Sequence, residues 1–445
     1  MAINTMSAKD RRNTQRQRIL AGMVDAANRD GYAGANVSQV ISRAGVSRRT
    51  FYEYFSDKDA CFLQANREIA ERLLVHIREA VAEAPPEQAL QAAVRRLLAR
   101  VEAQPEQAIF LANATMAGGP RALDERDRTI REIERIVEDA QADTPPLTLS
   151  PDLPPRAFIG ATHWLLSPHL RRGMRDLSKF ADKLVALIES YNAPHGTHRW
   201  HTLEPGPRPP ADPLASELSL RPPQPIPPGR SALSSEEVAR NQRERIMYAI
   251  AETAKRKGYT ASTIADITAA AHVDRRVFYT HFRDKQQAFL AVHEFAIHQL
   301  LALGARAFFS GSTWPERTWR GILAASQFQA MHPTMSHIGY VESHAVGPSA
   351  IQRIEDSHQA FKIFLREGSQ QSDDPPGETA TEAIIASIFE VGYQQTRHGS
   401  ATELPRLAYL ATYMALTPYL GPRAANEFID AKLRESAELS AASGE

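Results

Sequence analysis

The chain has 445 residues, 43% apolar and 23% charged, proportions that suit two or more soluble globular domains and exclude a fibrous or wholly disordered polypeptide. Its 52 basic and 52 acidic residues cancel, so any preference for an anionic partner has to come from local clusters. A single cysteine, Cys61, leaves no intrachain disulfide, no apolar run approaches the roughly 18 residues of a membrane span, and the charged N-terminus lacks the apolar core of a secretory signal. The expectation is a cytoplasmic protein with no membrane partner.

In chain order, a flexible basic arm over 1–12 leads into three helices. The first runs from about Arg12 to Asn28 and stops before Asp30-Gly31, where glycine supplies a left-handed stop. Asn36 is a good N-cap for a short helix from Val37 to Ala44. Gly45 allows a tight turn, Val46 plugs the core, and Ser47 caps a third helix from Arg48 to Tyr54. Two short helices joined by a glycine turn are the signature of a helix–turn–helix, whose second helix reads the major groove of DNA.

Farther on, Leu177, Phe180, Ala181, Leu184, Ile188 and Tyr191 form one apolar helical stripe. From Asn192 to about Arg230 the chain turns dense in proline, which predicts an extended, semi-rigid spacer between domains. The stretch Arg16–Lys58 then recurs without a gap as Arg243–Lys285. One constant shift matches Gly31 to Gly258, Tyr32 to Tyr259, Arg48-Arg49 to Arg275-Arg276, Phe51-Tyr52 to Phe278-Tyr279 and Asp57-Lys58 to Asp284-Lys285. A repeat this long is a duplicated domain, not a solenoid. The segments Lys9–Lys58 and Arg240–Lys285 each carry about five excess positive charges, enough for two basic footprints. Near the end, Leu404, Leu407, Ala408, Ala411 and Ala415 repeat the helical stripe, so both halves are expected to be all-α.

The run GYAGANVSQVISRAGVSRRTFYEYFSDKDACF and its copy GYTASTIADITAAAHVDRRVFYTHFRDKQQAF each resemble the DNA-binding domain of the tetracycline-repressor (TetR) family of bacterial regulators. The resemblance implies two TetR-like helical domains in one chain, each a three-helix DNA-binding unit followed by a helical ligand-sensing and pairing core. The expected boundaries are 13–73 for the first DNA-binding domain (motif about 36–55) and 74–191 for the first core. After the linker over 192–235, the second DNA-binding domain takes 240–300 (motif about 263–282), the second core 301–435, and a disordered tail 436–445.

By the same resemblance, Ser47, Arg48, Arg49, Thr50 and Tyr52 face the groove, while Tyr54 and Lys58 anchor phosphates. Their counterparts are Asp274, Arg275, Arg276, Val277, Tyr279, His281 and Lys285. Arginine can donate two hydrogen bonds to guanine, and Arg11, Arg12, Arg16 and Arg18 could reach the backbone or the minor groove. Phe51, Phe55, Phe278 and Phe282 read as core. The second copy departs at His272, which replaces the turn glycine, and at Asp274, which caps a helix well but brings a negative charge near phosphate.

Past each motif, a pocket for a small apolar effector is expected among Phe110, Met116 and Trp164 in the first half. In the second half its candidates are Trp314, Phe328, Met331, Met335, Phe361, Phe389 and Tyr393. Neither His332, His337 and His344 nor His195, His198 and His201 show zinc-ligand spacing, so no metal or cofactor is expected. Cys61 reads as a small buried hydrophobe. Without a nucleotide loop, nucleophile elbow or metalloprotease helix, the chain is not expected to be an enzyme.

The expected function is a DNA-binding transcriptional regulator, in the first instance a ligand-responsive repressor on an imperfectly palindromic, double-stranded operator. Its two halves would pair within one chain; a homodimer is the other arrangement. The alternative function is a ligand-binding or protein-interaction module with only the first helix–turn–helix competent for DNA.

Overall fold

A computed structural model of the chain describes residues 8–173, 177–212, 214, 222–226 and 233–443. The arm residues 1–7, linker residues 213, 215–221 and 227–232, and tail residues 444 and 445 lie outside the described residues. The chain divides into two compact units, Met1–Asp143 with Leu166–Asp182, and Thr144–Leu165 with Lys183–Glu445.

The first unit opens with α1 (Ala8–Gly34), whose regular turns break at Gly31, where φ is 71°. Residues 8–12, read as part of the arm, are therefore helical. Next come α2 (Val37–Ala44), α3 (Arg48–Tyr54), α4 (Lys58–Ala82) and α5 (Ala89–Ala103). A segment that starts as α6 (Pro105–Ile109) widens into a π-turn at Phe110–Ala114 and closes at Thr115–Ala117 before α7 (Pro120–Gln141). Ile19, Met23, Val40, Phe51, Cys61 and Phe62 bury into one core where α1 to α4 converge. Burial pushes the Cys61 thiol up to about 12, in keeping with a small hydrophobe.

Two helices, α8 (Pro155–Arg171) and α9 (Ser178–Glu189), lead to the repeat. The repeat comprises α10 (Ser235–Lys257), α11 (Ile264–Ala271), α12 (Arg275–His281) and α13 (Lys285–Phe309). By length and composition α13 could cross a membrane, but its Ala288, Phe289, Val292 and Leu303 are buried in the protein. Beyond it lie α14 (Trp314–Met331) and α15 (Pro333–His337), then a second π-turn at Ile338–Glu342 that closes at Ser343–Val346. The chain ends with α16 (Pro348–Phe361), α17 (Glu378–His398) and α18 (Ala408–Ser443), the last kinked at Gly421.

Three features of the second unit depart from the sequence expectations. Leu149–Pro151 pairs antiparallel with Asn192–Pro194, a small sheet in a chain read as all-α. The stripe from Leu404 begins as a 3-10 helix, Ala401–Leu407, in which Pro405 removes one backbone donor. Residues 436–443, read as tail, continue α18: Ser436 is buried, donates to the Lys432 carbonyl at 2.9 Å and meets the Tyr409 hydroxyl at 2.8 Å.

Part of the proline-rich stretch is strapped down rather than spanning free space. Asp152 accepts the main-chain N–H groups of Arg199 and Trp200, Trp200 stacks on Tyr413 with ring centroids 5.1 Å apart, and its indole N–H reaches Asn426 at 2.7 Å. Gly206 then donates to the Arg406 carbonyl at 3.0 Å, and Arg208 pairs with Glu403. Proline restricts the unfolded chain as well as the folded one, so such a strap loses less entropy on docking than its composition suggests.

Candidate nucleic-acid interface

Each helix–turn–helix is built by local chemistry that the two copies largely share. Asn36 accepts the N–H of Gln39 while the Gln39 side chain accepts the N–H of Asn36, and Thr263 and Asp266 form the same reciprocal cap. The turn that follows needs a left-handed residue. Gly45 takes φ 59° without a steric cost, and His272 takes φ 50° with one. Arg18 donates to the Gly45 carbonyl at 2.8 Å, and its counterpart Arg245 donates to the Ala271 and His272 carbonyls. Arg16 pairs with Glu68. Arg16 and Arg18 are thus engaged within the fold, correcting the expectation that they reach toward DNA. The side chains of Arg11 and Arg12 lie outside the described residues.

The third helices differ at their caps. Ser47 accepts the N–H of Thr50 at 3.0 Å, whereas Asp274 occupies the N-cap position without a side-chain cap hydrogen bond, against the expectation that it caps well. From these caps α3 and α12 turn one face inward and one to solvent. Phe51 and Phe278 are fully buried, while Tyr52 and Tyr279 beside them stay 51% and 45% exposed.

Arg48, Arg49, Arg275 and Arg276 are exposed on the same short helices, with Ser47 and Asp274 at their starts and Thr50 and Val277 half-buried. Arg49 is tied to Glu53 at 3.3 Å, Arg48 to Ser38 at 3.2 Å, and Arg275 leans over the Tyr279 ring. These are weak surface contacts that a phosphate or guanine could replace.

The residues read as phosphate anchors sit at the edge of this face with internal partners. Tyr54 donates to Gln15 at 3.4 Å, and His281 meets Gln242, the matching residue, at 3.3 Å. Lys58 donates to the Tyr32 carbonyl and lies 4.2 Å from its ring centroid. Lys285 donates to the carbonyls of Tyr259 and Ser262, and burial holds its ammonium below the ordinary lysine range. An ammonium has three donors, so each lysine can keep this strut and still offer a hydrogen to a phosphate.

Behind the second of these faces lies an apolar cavity of about 140 Å³, walled by α13, α14, α17 and the start of α18. Of the bulky residues singled out from sequence, Phe361 and Phe389 line it, and Phe328 and Met335 line a neighbouring cavity of about 40 Å³. The others lie elsewhere. Phe110 and Met116 are buried in the first half, Trp314 donates to the Phe364 carbonyl, and Met331 is 43% exposed. Trp164 donates to Glu390 at 2.7 Å and packs near Tyr393.

Sequence reasoning missed the residues that make the cavity, because it looked for bulk. Gly304, Gly321 and Gly392, with no side chain, and Ala411 and Ala415, with only a methyl group, leave the space open, while Leu300, Phe308 and Tyr340 shape it. Small residues at helix spacing, facing one another on neighbouring helices, were the available signal. Among the described residues no group of three or more His, Cys, Asp or Glu is arranged to hold a metal ion.

The family model for bacterial regulatory proteins of the tetR family matches twice, over residues 19–65 and 246–292. No curated protein matches the chain. Similar solved structures include the fatty acid degradation regulator FadR from Bacillus halodurans, 18% identical over 39% of this chain and 97% of its own, with a TM-score of 0.34. FadR from Bacillus subtilis in complex with stearoyl-CoA is 16% identical over 41% and 99%, with a TM-score of 0.35. A tetR-family regulatory protein from Rhodococcus RHA1 is 23% identical over 44% and 96%, with a TM-score of 0.33. Its two matched motifs fold into duplicate sets of capped helices, and the chain carries two DNA-binding domains of the tetR family in tandem, a TetR-like regulator.

Proposed function

We propose that this regulator is a repressor that grips an imperfectly palindromic operator with both helix–turn–helix motifs and lets go when a small apolar molecule occupies the second core. The observation that carries the DNA-reading part is the pair of exposed Arg-Arg-x-x-Tyr faces, Arg48-Arg49 with Tyr52 and Arg275-Arg276 with Tyr279. An unshielded guanidinium pair on a short capped helix suits base edges and phosphates alike. The reading is of a binding protein, with no catalytic step.

Pairing of the halves within one chain has its own support. Within the second unit, Trp164 of α8 donates to the fully buried Glu390 of α17, and Tyr191 just past α9 donates to the Met414 carbonyl of α18 at 2.7 Å. Buried polar pairs of this kind fix register as well as contributing energy. Release by ligand requires only that the cavity-filled state bind DNA more weakly than the unliganded one.

A mobility shift on the chain's own promoter region tests the reading, comparing wild type with Arg48/Arg49→Ala and Arg275/Arg276→Ala. Loss of the specific complex in both double variants supports two reading heads. If only the first pair matters, the second motif is not a reader, an outcome favoured by the carboxylate of Asp274 at its DNA-facing end. If neither matters, the placement of the reading face is wrong.

A further inference from the structure

The helices that follow the two motifs, α4 (Lys58–Ala82) and α13 (Lys285–Phe309), keep the constant shift of the repeat from end to end, so Asn66 and His293 occupy the same place. The π-turns beyond them match too. Thr115 donates to the Phe110 carbonyl at 3.4 Å, and Ser343 donates to the Ile338 carbonyl at 2.8 Å. In the first half the two features are joined, because Asn66 donates to the Thr115 hydroxyl at 2.5 Å. In the second half they are not. His293 is only 2% exposed, and its Nδ1 has no hydrogen-bond partner among the described residues. Leaving a buried polar atom unpaired forfeits its hydration without return, a cost that a ligand hydrogen bond would recover.

That imidazole lines the 40 Å³ cavity, which adjoins the 140 Å³ apolar cavity: Leu300, Gln329, Tyr340 and Phe389 wall both. Other polar groups on the smaller wall already have partners. Ser336 donates to the Gln329 and His332 carbonyls, Ser357 to the Arg353 carbonyl, and Gln329 to the Tyr340 hydroxyl. No lysine or arginine lines either cavity, so an anion would be desolvated without a counter-charge. Burial holds the His293 imidazole down at about 4, so it meets a ligand as a neutral group. A hydroxyl suits such a ring in either tautomer, since it both donates and accepts.

We propose that the second core binds a small uncharged amphiphile, with an apolar body of about benzene's bulk in the larger cavity and one hydroxyl on His293 in the smaller. This rests on the reading of that core as the effector site. The size follows from the volume: a closed apolar cavity of about 150 Å³ is known to hold benzene.

Three probes of one shape test it on the full chain by calorimetric titration: 4-isopropylphenol, cumene and 4-isopropylbenzoate. The phenol should bind about tenfold more tightly than cumene, as one buried hydrogen bond provides, and the benzoate should not bind at neutral pH. His293→Leu should bring the phenol down to cumene's affinity while leaving cumene unchanged. Should that variant fail to fold, the imidazole nitrogen resonances of His293 in the wild type decide, shifting with the phenol and not with cumene. Equal affinity for phenol and cumene, or an unmoved His293, overturns the hydroxyl assignment and leaves the effector cavity standing. No binding by any of the three overturns the cavity reading itself.

Discussion

The two copies of the DNA-binding domain show which parts of a duplicated fold are held fixed and which are released. Both keep the arginine that grips the turn, the lysine that reaches the loop carbonyl, and the buried phenylalanine beside an exposed tyrosine. They differ where the turn demands a left-handed residue, where the third helix is capped, and where α4 and α13 face the π-turn. The first copy has the less costly solution each time: Gly45 for His272, a bonded Ser47 for Asp274, a bonded Asn66 for His293. The lesson is that the scaffold of a motif tolerates local cost at a handful of points, and such points are where function can be specialised.

The largest effect expected from breaking this comparison is on DNA. Each bidentate arginine contact is worth about 1–3 kcal/mol, so Arg48/Arg49→Ala should weaken specific binding about a hundredfold or more. Arg275/Arg276→Ala should do the same if both heads read. Titration of labelled operator at fixed salt measures the two losses side by side, and a large inequality identifies the dominant head.

Acid should separate the copies next. Asn66 does not titrate, but His293 is held at about 4 by burial and by Arg353, with Glu294 opposing. A histidine depressed in the fold keeps its full stabilising contribution above its unfolded value of about 6.5 and loses it as pH falls toward 4. The second unit should therefore weaken by about 2–3 kcal/mol between pH 7 and 4.5 from this group alone. Urea unfolding at the two pH values reads it, and His293→Asn should remove most of that slope.

A smaller contrast lies in the arginine struts. Arg245 satisfies two main-chain carbonyls from a buried position, and Arg18 satisfies one from an exposed position. Arg245→Ala should cost about 1–3 kcal/mol and Arg18→Ala about 1 or less, as measured by denaturant midpoints. Equal costs would show that burial at the turn does not set the strength of the strut.

The turn residue gives the smallest effect, and its sign reverses between copies. His272→Gly should stabilise the second motif by about 0.5–1 kcal/mol, because it relieves a β-carbon at φ 50°. Gly45→Ala should destabilise the first by at least as much, since the added carbon would also come 2.5 Å from the Arg18 guanidinium. Thermal unfolding of the two variants checks both directions.

Much of the DNA-binding domain was legible because its determinants are local. Asn36 and Ser47 hydrogen-bond to residues three positions on, Gly45 sets its own φ, and the Phe51–Tyr52 pair announces an inside and an outside. The bounds Val37–Ala44 and Arg48–Tyr54 follow from those signals alone. The apolar cavity was less legible. Trp314, Trp164 and Tyr393 stood out by size, yet large side chains fill space, and the space was left by Gly304, Gly321 and Ala411 on different helices. Arg16 and Arg18 misled for a related reason, since charge in the sequence does not say which carboxylate or carbonyl will lie within reach.

By itself, then, the sequence determined the duplication, the helical class, the capped helix–turn–helix pairs and the residues on their exposed faces, because each rests on hydrogen bonds and periodicities spanning a few positions. Only the tertiary structure decided that a proline-rich stretch straps onto α18, that Lys58 and Lys285 brace loops, and that His293 lines a cavity with its Nδ1 unpaired among the described residues. Those outcomes depend on which groups meet across tens or hundreds of residues, where packing and desolvation, rather than local preference, choose the neighbour.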